Sequence, residues 1–259
     1  MRIARFSADG EVCFGVVEGP GEDPADLVVA PVAGHPFAPF TFSGEPRPLS
    51  TVRLLAPVLP SKVVCIGKNY ADHAAEMGGP APVDPVVFLK PSTSVIGPGD
   101  AIVLPRDSNR VDHEAELAVV IGRLCRDVPK ERALEVVLGY TCANDVTARD
   151  HQQADGQWTR GKGHDTFCPL GPWVETDLDA ADLAVQCRVD DELRQDGRTA
   201  QLLHGVPAVV AWVTAFMTLL PGDVILTGTP AGVGPLASGQ RVEVRVEGIG
   251  RLTNPVVNR

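Results

Sequence analysis

Short apolar runs cut by turn residues throughout are the feature that most restricts the fold of this 259-residue chain. Ile3-Ala4-Arg5-Phe6 and Val12-Cys13-Phe14-Gly15-Val16-Val17 are strand-like runs joined by Asp9-Gly10, a hairpin signal. A stretch with Pro or Gly at positions 31, 34, 36, 39, 44, 46 and 48 follows. It marks residues 1–56 as a small β-rich N-terminal domain, with 57–259 as the main domain. Further strand candidates are Lys62–Gly67, Val86–Leu89, Glu116–Ile121, Val224–Thr227 and Val242–Val246. The spacing predicts only a few helices: Tyr70–Met77, Pro129–Leu138 and the apolar stretch Ala208–Leu220 between Pro207 and Pro221. Many strands and few helices make this a β-rich α+β fold.

The charge balance excludes several functions. A net charge of -10 leaves no basic surface to displace counterions from nucleic acid or to dock on anionic lipid. The Ala208–Leu220 stretch falls short of the ~20 residues that span a bilayer, so it reads as a buried helix. No signal-peptide core follows Met1, and the six scattered cysteines form no metal-ligand spacing. They read as reduced core thiols of a cytoplasmic protein.

Five constellations bear on chemistry. In Glu114-Ala115-Glu116-Leu117-Ala118-Val119-Val120-Ile121, strand alternation puts Glu114 and Glu116 on one face, about 7 Å apart. Ala118 and Val120 continue that face, while Leu117, Val119 and Ile121 take the other. Two carboxylates entering an apolar surface repel each other and are costly to desolvate, and a hard divalent cation resolves both problems. Periodicity alone equally allows two solvated glutamates at a strand start. Asn144-Asp145 ends another apolar run, where Asp145 could be a third oxygen ligand or simply pair with Arg149 one helical turn on.

His73 and Glu76, three apart on a short helix, can hydrogen-bond, which suits a general base as readily as a surface pair. Lys162, between Gly161 and Gly163, is poorly suited to a regular helix or strand. It could approach a carboxylate or a developing oxyanion, or lie in a surface turn. Thr227-Gly228-Thr229-Pro230 lacks a P-loop lysine, which rejects nucleotide binding but leaves a backbone and hydroxyl cradle for a small carboxylate. The absence of a G-x-S-x-G elbow argues against a serine hydrolase.

Together and in order, Gly-Lys-Asn-Tyr-Ala-Asp-His at 67–73, Phe-Leu-Lys-Pro at 88–91, Glu-x-Glu-Leu at 114–117, Asn-Asp-Val-Thr-Ala-Arg-Asp at 144–150 and Leu-Thr-Gly-Thr-Pro-x-Gly-Val-Gly at 226–234 resemble the fumarylacetoacetate hydrolase family. The resemblance covers roughly residues 57–259, and the N-terminal part is similar to the small extra domain of many bacterial members. Residues 155–173 resemble the bacterial branch of 2-hydroxyhepta-2,4-diene-1,7-dioate isomerases, which also holds oxaloacetate decarboxylases and acylpyruvate hydrolases. One departure is Ala115, where glycine is common in the family.

The resemblance implies a mixed β-sandwich roll, a homodimer, and Mg2+ or Mn2+, ahead of Ca2+, on Glu114, Glu116 and Asp145. His73 and Glu76 would form the acid/base dyad, Lys162 would stabilise an enolate or oxyanion, and Arg149, Gln152 and Thr229 would contact a small carboxylic acid substrate. The expected activity is isomerisation of a 2-oxo or 2-hydroxy-dienoic (di)carboxylic acid through a metal-stabilised enolate in aromatic catabolism. Decarboxylation of oxaloacetate and C–C hydrolysis of an acylpyruvate are the alternatives within this chemistry. A metal-stabilised binding protein without catalysis is the alternative outside it.

Overall fold

The computed structural model describes residues 1–259. The Asp9-Gly10 signal makes the expected tight turn, with both residues at positive φ, between strands Arg2–Ala8 and Glu11–Glu18. These strands and Val28–Ala33 occupy one side of a 13-stranded sheet. Arg2–Ala8 pairs antiparallel with Cys168–Glu175 through Arg2↔Glu175 and Ile3↔Val174, so the sheet is continuous across the N-terminal segment. It then runs through Val137–Asn144, Ala115–Ile121, Val224–Leu226 and Val63–Gly67 to Val86–Lys90. A five-stranded sheet of Ile102–Leu104, Gly250–Asn258, Arg241–Val246, Ala184–Val189 and Glu192–Arg198 packs over it. The result is a β-rich α+β sandwich.

The strand Ala115–Ile121 is buried along its whole length, and alternation sorts its side chains into two cores. Leu117, Val119 and Ile121 join a 40-residue cluster with Val185, Val244 and Leu252 from the second sheet. Ala118 and Val120 face a smaller cluster with Cys65, Ala143, Cys168 and Leu226. Glu116 shares the face of this smaller cluster, so its carboxylate starts from an apolar floor. All six cysteines are free thiols, and five are buried.

Two helix expectations are corrected. Residues Lys130–Val136 form a 3-10 helix, and Val137 and Leu138 already belong to the next strand, whose β-branched and aromatic run overrides the proline start signal. The Ala208–Leu220 stretch forms a helix only over Val206–Phe216, and Trp212 and Phe216 are exposed, so it packs through one face instead of lying wholly in the core.

Ile225 is fully buried between Val119 and Val64 in neighbouring strands. Ile225→Ala is expected to lower the unfolding free energy by about 2–5 kcal/mol, through lost burial and the cavity left behind. Denaturant unfolding checks this, and a loss below ~1 kcal/mol would mean that the site collapses around the smaller side chain.

Candidate metal and substrate site

Adjacent strands bring the acidic residues together. Asn144 pairs with Ala115, so Asp145 just past one strand end lies beside Glu114 and Glu116 at the start of its neighbour. The Asn144 side chain accepts the Glu114 N–H, and the Asp145 N–H donates to the Glu114 carbonyl, fixing the two ends against each other. Glu114, Glu116 and Asp145 each offer an oxygen within 4.8 Å of the others, and all three are buried. The solvated alternative for the glutamates is overturned.

Three buried cations accompany the three carboxylates. Lys162 donates to Glu114 Oε2 and Asp145 Oδ2, each at 2.8 Å. Lys90 donates to Asp145 Oδ1 at 2.5 Å and to the Val146 carbonyl. Arg149 lies 2.6 Å from Glu114 and donates through Nε to Asp112 and through Nη1 to Gln152. The Asp145–Arg149 pairing that helical spacing allowed does not form, since Lys90 and Lys162 hold Asp145 and Arg149 turns to Asp112 and Glu114.

The carboxylates are not electrostatically alike. Burial pushes Glu114 up, but Lys162, Arg149 and His73 together hold it well below the ordinary carboxylate range. Glu116 has no cation of its own. Burial, then repulsion from Asp145 and Glu114, push its carboxyl well up, and Lys162 and the Gly228 N–H only partly offset them. The Gly228 N–H donates to Glu116 Oε2 at 2.5 Å, a close approach made at a positive φ. A hard divalent cation fits this donor set: it has three clustered oxygens to bind, and it supplies the charge that Glu116 lacks.

His73 is buried, and its Nδ1 lies 3.2 Å from Glu76 Oε2. Lys162 departs from its sequence reading. It ends a one-turn helix, Thr159–Lys162, because Gly161 packs against the Gln152 backbone where any Cβ would come within 2.8 Å. Thr229 lies beneath the site, with its hydroxyl donating to the Ala115 carbonyl and accepting from Gln195 Nε2.

A cavity of about 210 Å3 opens onto these groups. It is lined by His73, Glu114, Glu116, Asp145, Arg149, Gln152, Lys162 and Thr229, all expected from the sequence, and by Lys68, Phe88 and Trp158, which sequence reasoning did not assign. Glu76 borders an adjoining cavity and reaches the first through His73. Lys90 also escaped assignment, although strand alternation places it with Phe88 on the face turned toward the site. Gln195, fully buried and bonded to His113, Ala115, Thr229 and Pro230, comes from the second sheet and leaves no local signal.

The chain matches the fumarylacetoacetate (FAA) hydrolase C-terminal family over residues 62–257 and the Rv2993c-like N-terminal family over residues 1–57. It belongs to the fumarylacetoacetate hydrolase family, a family of enzymes. It is 55% identical to Protein Rv2993c of Mycobacterium tuberculosis, covering 100% of this chain and 99% of that one. It is 44% identical to the mitochondrial oxaloacetate tautomerase fahd2 of Xenopus laevis, over 80% of this chain and 69% of the other. The crystal structure of 2-hydroxyhepta-2,4-diene-1,7-dioate isomerase from Mycobacterium marinum superposes with a TM-score of 0.94 at 51% identity, covering 100% and 99% of the two chains. Maleylpyruvate hydrolase from Sphingobium sp. SYK-6, in complex with manganese(II) and pyruvate, gives 0.81 at 32% identity with 100% and 99% covered.

Two outcomes follow from the charge arrangement. Lys90→Met leaves Asp145 with Lys162 as its one cation, shared with Glu114, and is expected to destabilise the metal-free protein by up to about 3 kcal/mol. Lys90→Met combined with Asp145→Asn should restore part of that loss in thermal unfolding, and strictly additive effects would show that the pair is not coupled. A metal ion displaces the proton that burial and like charges favour on Glu116, so Mn2+ binding should release a proton and tighten as pH rises. Calorimetric titration in buffers of different ionisation enthalpy checks this, and a pH-independent affinity would contradict it.

Proposed function

We propose that this chain is a divalent-metal-dependent isomerase of 2-hydroxyhepta-2,4-diene-1,7-dioate or a close relative, working through an enolate. The observation that carries the reading is the buried Glu114–Glu116–Asp145 cluster with His73 and Lys162 on the same cavity. Likeness over the whole chain to the M. marinum isomerase supports the choice of reaction. The Mn(II)–pyruvate complex of the Sphingobium hydrolase supports Mg2+ or Mn2+ as the metal and a 2-oxo acid as the ligand.

Glu114, Glu116 and Asp145 would hold the cation, which supplies Lewis acidity to stabilise negative charge on the substrate's C2 oxygen. Glu76 accepts the Nδ1 proton of His73, leaving Nε2 as a base. In isomerisation, His73 takes the C2 hydroxyl proton and a proton returns to a carbon of the chain, so the diene becomes the 2-oxo acid with atoms and charge conserved. Lys162 and Arg149 offset the negative charge of the acid, and Gln152 orients Arg149. The hydroxyl of Thr229 is already committed, so its share in substrate contact falls to its backbone N–H and remaining lone pair. The functional unit in this reading is a cytoplasmic homodimer.

Hydrolysis is the second reading, favoured by the likeness to maleylpyruvate hydrolase. There, His73 takes a proton from water, the hydroxide attacks the acyl carbon, and the C–C bond electrons pass to pyruvate enolate.

The test is turnover of the hydroxydienedioate, an acylpyruvate and oxaloacetate with Mg2+ or Mn2+, repeated with a chelator. Isomerisation of the dienedioate lost on chelation is expected, with His73→Ala lower by about 10²–10⁴-fold and Glu116→Ala losing both metal and turnover. Undiminished turnover in the chelator, or in either variant, would overturn the reading.

A further inference from the structure

The contacts along the cavity wall order it from one end to the other. At the inner end, Lys162 sits between Glu114 and Asp145, and its ammonium lies 5.0 Å from the centre of the Phe88 ring. Phe88 meets Trp158 edge to face, with centroids 5.2 Å apart. Trp158 in turn rests on the backbone of Gly67, where a Cβ would lie 2.6 Å from the indole. The next residue is Lys68, which also lines the cavity.

Lys68 differs from the other cations of this cavity. Lys162 and Arg149 are each ion-paired to carboxylates of the inner end, where the acid head would lie, whereas no acidic side chain pairs with Lys68. Its backbone holds a left-handed conformation, φ 56°, which few residues other than glycine adopt. That turn between strand Val63–Gly67 and helix Ala71–Glu76 sends its ammonium under the loop after the helix, 3.4 Å from where a side chain at Gly79 would begin. A cation is thus kept unpaired at the far end of an aromatic wall whose near end is the metal site.

We propose that Lys68 binds the distal carboxylate of the substrate, so that the cavity selects dicarboxylic acids whose unsaturated chain lies against Phe88 and Trp158. This rests on the reading of the inner end as the site of a 2-hydroxy-dienoic or 2-oxo acid head. A planar conjugated chain suits the ring faces and edges, and a charge-assisted contact at Lys68 discriminates against an acid that ends in a methyl group.

The test compares 2-hydroxyhepta-2,4-diene-1,7-dioate with 2-hydroxyhepta-2,4-dienoate, which lacks the second carboxylate, using the Mn2+-loaded enzyme. Lys68→Met is expected to raise KM for the dioate and to lower the dioate-to-monoacid ratio of kcat/KM at least about tenfold, with kcat on the dioate changed little. Lys68→Arg should keep most of the discrimination, and equal thermal midpoints establish that all three proteins fold. An unchanged ratio in Lys68→Met, or equal losses on both acids, overturns the assignment of Lys68 alone. Turnover of neither acid by the unmodified enzyme overturns the isomerase reading, and the role of Lys68 falls with it.

Discussion

Everything at the centre of this protein depends on keeping three carboxylates together at the buried end of a cavity. Such a cluster would be ruinous in an apolar interior without compensation. Here Lys162 spans two of the three, Lys90 secures the Asp145 end, and Arg149 secures the Glu114 end while itself leaning on Asp112. The compensation is uneven, and that unevenness gives the cluster chemical use. Glu116 is left with one backbone N–H and no cation, which makes it the point where an incoming metal ion gains most.

The fold serves this arrangement by running strands from distant parts of the chain side by side. Asp145 and the glutamates meet because Val137–Asn144 and Ala115–Ile121 pair in antiparallel register. Lys90 comes from the sheet edge two strands beyond Val224–Leu226, and Lys162 from a one-turn helix that only Gly161 allows to press on its neighbour. The cations sit on different elements from the carboxylates they neutralise, so no local segment is stable in this form alone.

This division of labour explains what could be read from the amino-acid sequence. Residues whose placement follows a local period were legible: Glu116 with Ala118 and Val120 on one strand face, and His73 with Glu76 on one helical turn. The order of motifs added Asp145, Lys162 and Arg149 and the family itself. Pairings that arise only in three dimensions were not legible. Local spacing suggested Arg149 for Asp145, while the folded chain gives Asp145 two lysines, one of them 55 residues away. Nothing in the hairpin sequence around Gln195 announces a buried side chain, and the run before Leu220 has no marker for the exposure of Trp212 and Phe216.

Gln195 also ties the site's accuracy to the cohesion of the whole sandwich. Its amide reaches across from the five-stranded sheet to grip Thr229, Pro230 and the amide of Ala115, so the floor of the site spans two sheets. Catalytic alignment and global rigidity are therefore one property. Sliding of the sheets, from heat or from a remote core substitution, would blur the reactive geometry while most of the chain stayed folded. Variation of the Thr227–Gly234 loop, where a new specificity would be sought, is limited in turn by a residue on the opposite sheet.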